Sequence, residues 1–175
     1  YLEGYLWDSD LAKNAFLQAA KLAKESDTKI ILSLSDSFCV DRHRESFLEL
    51  IEKYIDIVFC NESEVLSLFQ ENDLQRCQES ISSICELIII TLGSKGSLVV
   101  NKGKSEEIKP KLLGKIIDTT GAGDLYAGGF IHGLINNYSL KKCGEIGSIC
   151  AGHIITQLGS RSNINLQKLL RTHLI

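Results

Sequence analysis

The sequence predicts an α/β fold: a mainly parallel sheet with helices on both faces, in three αβα layers. Three observations carry this. Short apolar runs alternate along the chain with stretches of helical spacing. The runs, Leu87-Ile88-Ile89-Ile90 among them, are apolar throughout and do not alternate with polar residues, as in strands buried on both faces. A turn rich in glycine, Gly121-Ala122-Gly123, opens a helix of small residues.

Taken in order, residues 1–7 read as a buried strand. Asp8 or Ser9 can cap a helix from about Leu11 to Glu25, with Ala12, Ala15, Phe16, Ala19, Leu22 and Ala23 on its apolar face. Lys29 to Leu34 is a second strand, and Ser35-Asp36-Ser37-Phe38 a polar loop. Asp41 to Lys53 forms a helix with Phe47, Leu48, Leu50 and Ile51 on its apolar face. Ile55 to Cys60 is a third strand. Asn61 caps a short helix through Phe69, Asp73 to Cys85 makes another, and Leu87 to Thr91 is a fourth strand. Gly96 to Val100 and Ser105 to Ile108 flank Asn101-Lys102-Gly103-Lys104, a hairpin turn that adds an antiparallel edge. The remainder is helical, at about 122–136, 139–157 and 165–173.

Composition bounds the function. The 175 residues fit one domain, and 44% hydrophobic with 23% charged residues is ordinary for a soluble globular protein. A net charge of −3 argues against a nucleic-acid or anionic-membrane surface. The longest apolar run is far too short to span a bilayer, and the start shows no signal peptide. Cys39, Cys60, Cys77, Cys85, Cys143 and Cys150 form no C-x-x-C pair. They read as reduced core residues of a cytoplasmic protein, which leaves the sequons at Asn61 and Asn137 without meaning. The sequence contains no Met and opens directly on Tyr1-Leu2-Glu3-Gly4-Tyr5-Leu6, so a partial domain is expected.

The chemistry centres on Asp118-Thr119-Thr120-Gly121-Ala122-Gly123-Asp124. The first N–H groups of a helix have no internal partner, and the helix dipole adds positive charge there. A Gly-Ala-Gly turn keeps bulky side chains away from those amides. A carboxylate at such a site repels an anion, unless its task is to take a proton from the group attacking that anion. An anion hole with one carboxylate is an arrangement for phosphoryl transfer. The bland alternative is a capped helix start with a glycine face for packing. A dinucleotide fingerprint is excluded because Tyr126 stands at the third glycine position, and no G-x-x-x-x-G-K-[ST] occurs.

Asp118, Thr119, Gly121, Ala122, Gly123, Asp124, Gly128 and Gly129 all match the second signature of the ribokinase-like (PfkB) family of carbohydrate and nucleoside kinases, which this stretch resembles. The resemblance implies a ribokinase-like fold and identifies 1–175 with the C-terminal, nucleotide-binding portion of such a kinase. The N-terminal half, with its substrate contacts and lid, would lie outside this chain. It implies Asp124 as catalytic base and the turn of Gly121, Ala122, Gly123 and Asp124 as anion hole. It implies ATP and Mg²⁺ as cofactors, K⁺ as a candidate, a nucleoside or sugar acceptor, and a homodimer of the full-length enzyme as a candidate assembly.

Asn61-Glu62-Ser63-Glu64 follows the third strand and resembles the family's N-x-x-E motif, which helps hold magnesium through water. Mg²⁺ keeps several waters and needs few carboxylates. The same residues also make a plain capping box. Thr91-Leu92-Gly93-Ser94-Lys95-Gly96 follows the fourth strand and resembles the nucleotide-binding loop, with Thr91, Gly93 and Gly96 as cofactor contacts and Lys95 as a charge or a turn lysine. Asp118 and Thr120 match positions whose carbonyls hold a monovalent cation, with 156–160 as partner loop; Asp118 could equally cap the turn. His43, His132, His153 and His173 show no metal-ligand spacing. His153, close to where the family's adenine pocket forms, is a ligand neighbour or a buried packing residue. Arg42-His43-Arg44 reads as a solvated helix start. Ser35 to Phe38 resembles a segment of the adenosine-kinase branch, which tilts the acceptor toward a nucleoside. The competing function is a non-catalytic remnant that binds nucleotide or a partner without turnover.

Overall fold

The computed structural model of the chain describes residues 1–173. Six strands form one mixed sheet in chain order. The chain divides into two compact units, Tyr1–Thr91 with Val100–Ser105, and Leu92–Val99 with Glu106 onward.

The first unit holds β1 (Leu2–Glu3), α1 (Asp10–Glu25), β2 (Ile31–Ser33), α2 (Ser37–Tyr54), β3 (Ile57–Asn61), α3 (Glu62–Phe69), α4 (Leu74–Ser82) and β4 (Leu87–Thr91). Neighbouring strands are parallel, with Leu2 opposite Leu32, Leu32 opposite Val58, and Val58 opposite Ile88. Ile88, Ile89 and Ile90 are all fully buried. Successive strand residues point to opposite faces, so both faces of β4 are covered. Trp7 closes one end of this core, edge-on to Phe16 at 5.1 Å and tilted against Phe47 at 6.3 Å.

Several boundaries differ from the sequence reading. The strand expected over 1–7 ends at Glu3, and Gly4–Asp8 coils into a 3₁₀ turn. A Cβ at Gly4 would come within 3.0 Å of the Ser33 and Leu34 carbonyls, so the chain bends against the end of β2 instead of running on. Helix α2 starts four residues earlier than expected, because Asp36 accepts the Cys39 N–H at 2.6 Å and caps it there. His43 then breaks the helical dihedrals inside α2. On α1 only Phe16 and Ala20 are buried, while Ala15, Ala19 and Leu22 are exposed. All six cysteines are free and buried, as expected.

Strands β5 (Ser97–Asn101) and β6 (Lys104–Ile108) form the expected hairpin. Its turn is Lys102-Gly103, both at positive φ (50° and 75°), the backbone a two-residue hairpin turn requires.

The second unit is built on α5 (Ala122–Ile135), α6 (Leu140–Ile154) and α7 (Leu166–His173). Helices α5 and α6 touch backbone to backbone. A Cβ at Gly129 would lie 3.0 Å from the Gly147 Cα and the Ile146 carbonyl; one at Gly133 would lie 3.0 Å from the Cys143 Cα. From the other side, a Cβ at Gly147 would meet the Tyr126 carbonyl at 2.8 Å. Ile146, Ile149, Cys150 and Leu170 join α6 to α7, with Leu113, Leu125 and Leu169 packed around them. Ser139 caps α6 by accepting the Lys142 N–H at 3.3 Å.

A side chain at this crossing must push the helices apart. Gly129→Val should destabilise the protein by about 1–3 kcal/mol, the range for overpacked cores. Chemical denaturation of both proteins measures the difference, and equal midpoints would show that the crossing yields without cost.

Candidate active site

In the second unit, Gly121 caps α5 at φ 79°, a left-handed conformation that glycine adopts without strain. Its missing side chain is needed twice over, since a Cβ there would sit 2.7 Å from the Ser160 Cβ. Gly123 is helical and open: a Cβ there meets nothing within 4 Å among the described residues. The special backbone therefore belongs to Gly121, and Gly123 contributes bare space.

The Ala122 N–H turns back to the Thr119 carbonyl at 3.2 Å, and the Leu125 N–H reaches the Gly121 carbonyl at 2.9 Å. The N–H groups of Gly123 and Asp124, at the second and third helical positions, belong to the orphan donors of a helix start. The anion hole expected over residues 121–124 thus loses Ala122, whose amide the turn consumes. Asp124 lies in the first turn of α5 and is exposed.

Asp118 holds this turn. Its Oδ1 accepts the Thr120 N–H at 2.9 Å and the Thr120 hydroxyl at 2.7 Å, and its Oδ2 accepts the Gly159 N–H at 2.9 Å. These donors, the Thr120 N–H foremost, keep the carboxyl below its usual range. The side chain is a turn cap, and the same bonds bring the 118–120 segment against the 156–160 loop. The apolar run Ile116-Ile117 is not a strand; both residues are exposed, and the Ile117 N–H bonds the Ile155 carbonyl at 2.8 Å.

Gly93 and Gly96 bracket a 3₁₀ turn, closed by the Leu92 N–H to the Gly96 carbonyl at 2.8 Å. A Cβ at Gly96 would collide with the Ile108 carbonyl at 2.1 Å, so packing accounts for this glycine without any ligand. Gly93 is exposed and open. His153 is buried and shares a hydrogen bond with the Ser162 hydroxyl at 2.9 Å, which in turn donates to the Ile164 carbonyl. It is a packing residue that fastens the following loop.

In the first unit, Asn61 and Thr91 end β3 and β4 opposite each other in the parallel ladder. The Thr91 hydroxyl donates to the Cys60 carbonyl at 3.4 Å. Asn61 and Glu64 form a full capping box: Asn61 Oδ1 accepts the Glu64 N–H at 2.9 Å, and Glu64 Oε2 accepts the Asn61 N–H at 2.9 Å. Glu64 Oε1 also takes the Asn61 amide at 2.5 Å. Glu64 is 5% exposed. Burial pushes its carboxyl up to about 7; the Asn61 N–H opposes this, and the charges of Asp36 and Glu3 add to it.

The sequence reading missed Glu3 and Tyr5 as neighbours of this corner. Ser35, at φ 71°, accepts the Tyr5 N–H and donates to Glu3 Oε2 at 2.9 Å. Tyr5 donates to Asp36 at 2.5 Å, and this bond heads the causes that push the phenol up to about 12. The available signal was position: polar residues at the C-terminal ends of parallel strands.

A model of the pfkB family carbohydrate kinases matches residues 1–167. The chain belongs to the PfkB family. Kinases of this family are phosphotransferases acting on hydroxyl groups. A nucleoside kinase of Methanocaldococcus jannaschii is 35% identical over 127 residues, which are 69% of this chain and 39% of that protein. A ribokinase of Haemophilus influenzae is 33% identical over 152 residues, 83% of this chain and 47% of that protein. Among solved structures, adenosine kinase from Sinorhizobium meliloti superposes with a TM-score of 0.95 at 41% identity, covering 97% of this chain and 52% of that one. A probable sugar kinase from Rhizobium etli superposes with a TM-score of 0.95 at 37% identity, covering 97% of this chain and 52% of that one. The chain thus spans about half the length of these PfkB relatives. Among the described residues, no helix is long and apolar enough to cross a membrane.

The raised Glu64 carboxyl has a consequence for stability. As pH rises from the ordinary glutamate value of 4.5 toward about 7, the unfolded chain releases this proton while the folded one holds it. Stability from Glu64 is therefore full at low pH and lost as pH passes about 7. Glu64→Gln should gain stability relative to the wild type on going from pH 5 to pH 8. Parallel unfolding curves at both pH values check this; a constant difference would show that Glu64 titrates normally.

Proposed function

We propose that the protein transfers the γ-phosphate of ATP to a hydroxyl of a nucleoside resembling adenosine. The observation that carries the reading is the start of α5. There an exposed carboxylate, Asp124, stands beside the open amides that the left-handed Gly121 turn leaves free. Asp124 would take the proton of the attacking hydroxyl, worth roughly 10²–10⁴ in rate. The N–H groups of Gly121, Gly123 and Asp124 would receive charge developing on the transferring group, each worth about 3 kcal/mol. The likeness to the Sinorhizobium adenosine kinase favours a nucleoside acceptor. The Rhizobium sugar kinase and the ribokinases support the second reading, a carbohydrate acceptor on the same machinery.

Thr91, Gly93 and Gly96 are the proposed nucleotide contacts, together with Asn61. Gly93 leaves backbone exposed for a phosphate, and Gly96 would act by shaping the turn. Magnesium would be held by Glu64 through water. A water-mediated role fits a carboxylate whose two oxygens already accept from Asn61. The ion would supply charge to the phosphates. A monovalent cation would be held by the carbonyls of Asp118 and Thr120, with the 156–160 loop facing them. The bonds of Asp118 to Thr120 and Gly159 support this by joining the two segments. We place the protein in the cytoplasm, on the strength of its reduced cysteines.

Two measurements test the reading. Asp124→Asn keeps the size and shape of the side chain in the first turn of α5 and removes its charge. It should lower kcat by roughly 100-fold or more, with ATP affinity unchanged or slightly better once like-charge repulsion is gone. Near-normal turnover of this variant, with adenosine and ribose both offered as acceptors, would sink the base assignment. Potassium should activate turnover over sodium, and equal rates in either salt and in neither would remove the cation site.

A further inference from the structure

Helix α5 carries Gly123 in its first turn and three further glycines, Gly128, Gly129 and Gly133. A glycine inside a helix is a poor choice unless something requires it. Contact with α6 requires Gly129 and Gly133. Among the described residues, nothing requires Gly128. It is exposed, its φ is not positive, and a Cβ there meets nothing within 4 Å among the described residues.

The position of Gly128 is informative. It stands four residues after Asp124, one turn along and on the same side of α5. Helical side chains lean toward the N-terminus, so a residue covers the turn before its own. Any side chain at 128 would lie across the turn that bears Asp124. Bare backbone there, with the open Gly123 on the preceding turn, leaves Asp124 approachable from outside.

We infer that Gly128 is a specificity-determining residue, whose missing side chain clears the space over Asp124 for the ring of a hydroxyl-bearing acceptor, the ribose of a nucleoside. This rests on the phosphotransfer reading. It adds that the acceptor is selected by clearance against helix backbone as well as by polar contacts.

The test compares the intact protein with Gly128→Ala and Gly128→Leu. Thermal unfolding, nucleotide affinity, and ADP release over a range of adenosine concentrations are measured for each. Gly128→Ala should raise Tm, by about 2–4 °C for a chain of this size, because alanine suits an open helix position better. Nucleotide affinity should stay within twofold in both variants. The acceptor KM should rise in the order Gly, Ala, Leu, and for Leu by roughly 10-fold or more, the scale of a misfit of one or more methylenes in a pocket. A lower Tm for Gly128→Ala would show that protein fills the space and overturn the inference. So would an unchanged acceptor KM in Gly128→Leu, or in Gly128→Ala should the leucine variant not fold. If the unmodified protein releases no ADP in response to any nucleoside or sugar, the phosphotransfer reading itself falls, and the inference with it.

Discussion

The second unit depends on the close approach of α5 and α6. Helix axes draw this near only where side chains are absent, and here glycines face backbone from both sides, Gly129 and Gly133 from α5 and Gly147 from α6. The contact sets how α5 lies, and α5 carries the turn at Gly121 and the carboxylate of Asp124. The packing glycines and the candidate base Asp124 share one helix but lie on different sides of it. The glycines that meet α6 account for themselves; Gly123 and Gly128 meet nothing among the described residues, and Gly128 lies on the side that Asp124 occupies.

A similar sharing occurs at Asn61 and Glu64. Asn61 ends a buried parallel strand and starts a helix, so its side chain must satisfy orphan amides. Glu64 answers with the reciprocal bond, completing the capping box. The structural and the functional readings of these residues therefore do not compete. A capping box at the C-terminal end of a central strand holds a buried carboxyl in one orientation, and burial makes it hold its proton more tightly than an ordinary glutamate. Asp118 shows a similar economy, one carboxylate capping its own turn through Thr120 and fastening the 156–160 loop through Gly159.

Most elements were legible in the sequence where local rules suffice. The four-residue run Leu87-Ile88-Ile89-Ile90 and the following Thr91 became β4 as read, and the Asn61 cap starts α3. Misses arose where a distant contact decides. Tyr1 to Trp7 reads as a strand by its apolar content, yet Gly4 meets the end of β2 and the chain bends. The exposed side of α1 carries alanines and Leu22, which periodicity alone assigns to the core. For the sites, the Gly-Ala-Gly-Asp stretch and the Asn61-Glu64 pair were legible because each is contiguous. Glu3, Tyr5 and Ser35 were not recognised as a cluster, since Glu3 and Tyr5 stand 30 or more positions before Ser35 and Asp36.

By itself the sequence determined the α/β alternation and the family signature and offered Asp124 as the candidate base, all from neighbouring residues and fixed spacing. Only the tertiary structure decided what each glycine is for. Gly121 adopts the left-handed turn against Ser160, Gly96 yields to the Ile108 carbonyl, Gly129 and Gly133 admit α6, and Gly123 and Gly128 admit nothing from the described chain. It also decided that the turn consumes the Ala122 amide, and that His153 fastens a loop through Ser162. The physical reason is that a glycine is written the same way whether it supplies a dihedral angle, a close approach or an empty space, and the atoms that distinguish these are brought beside it only by folding.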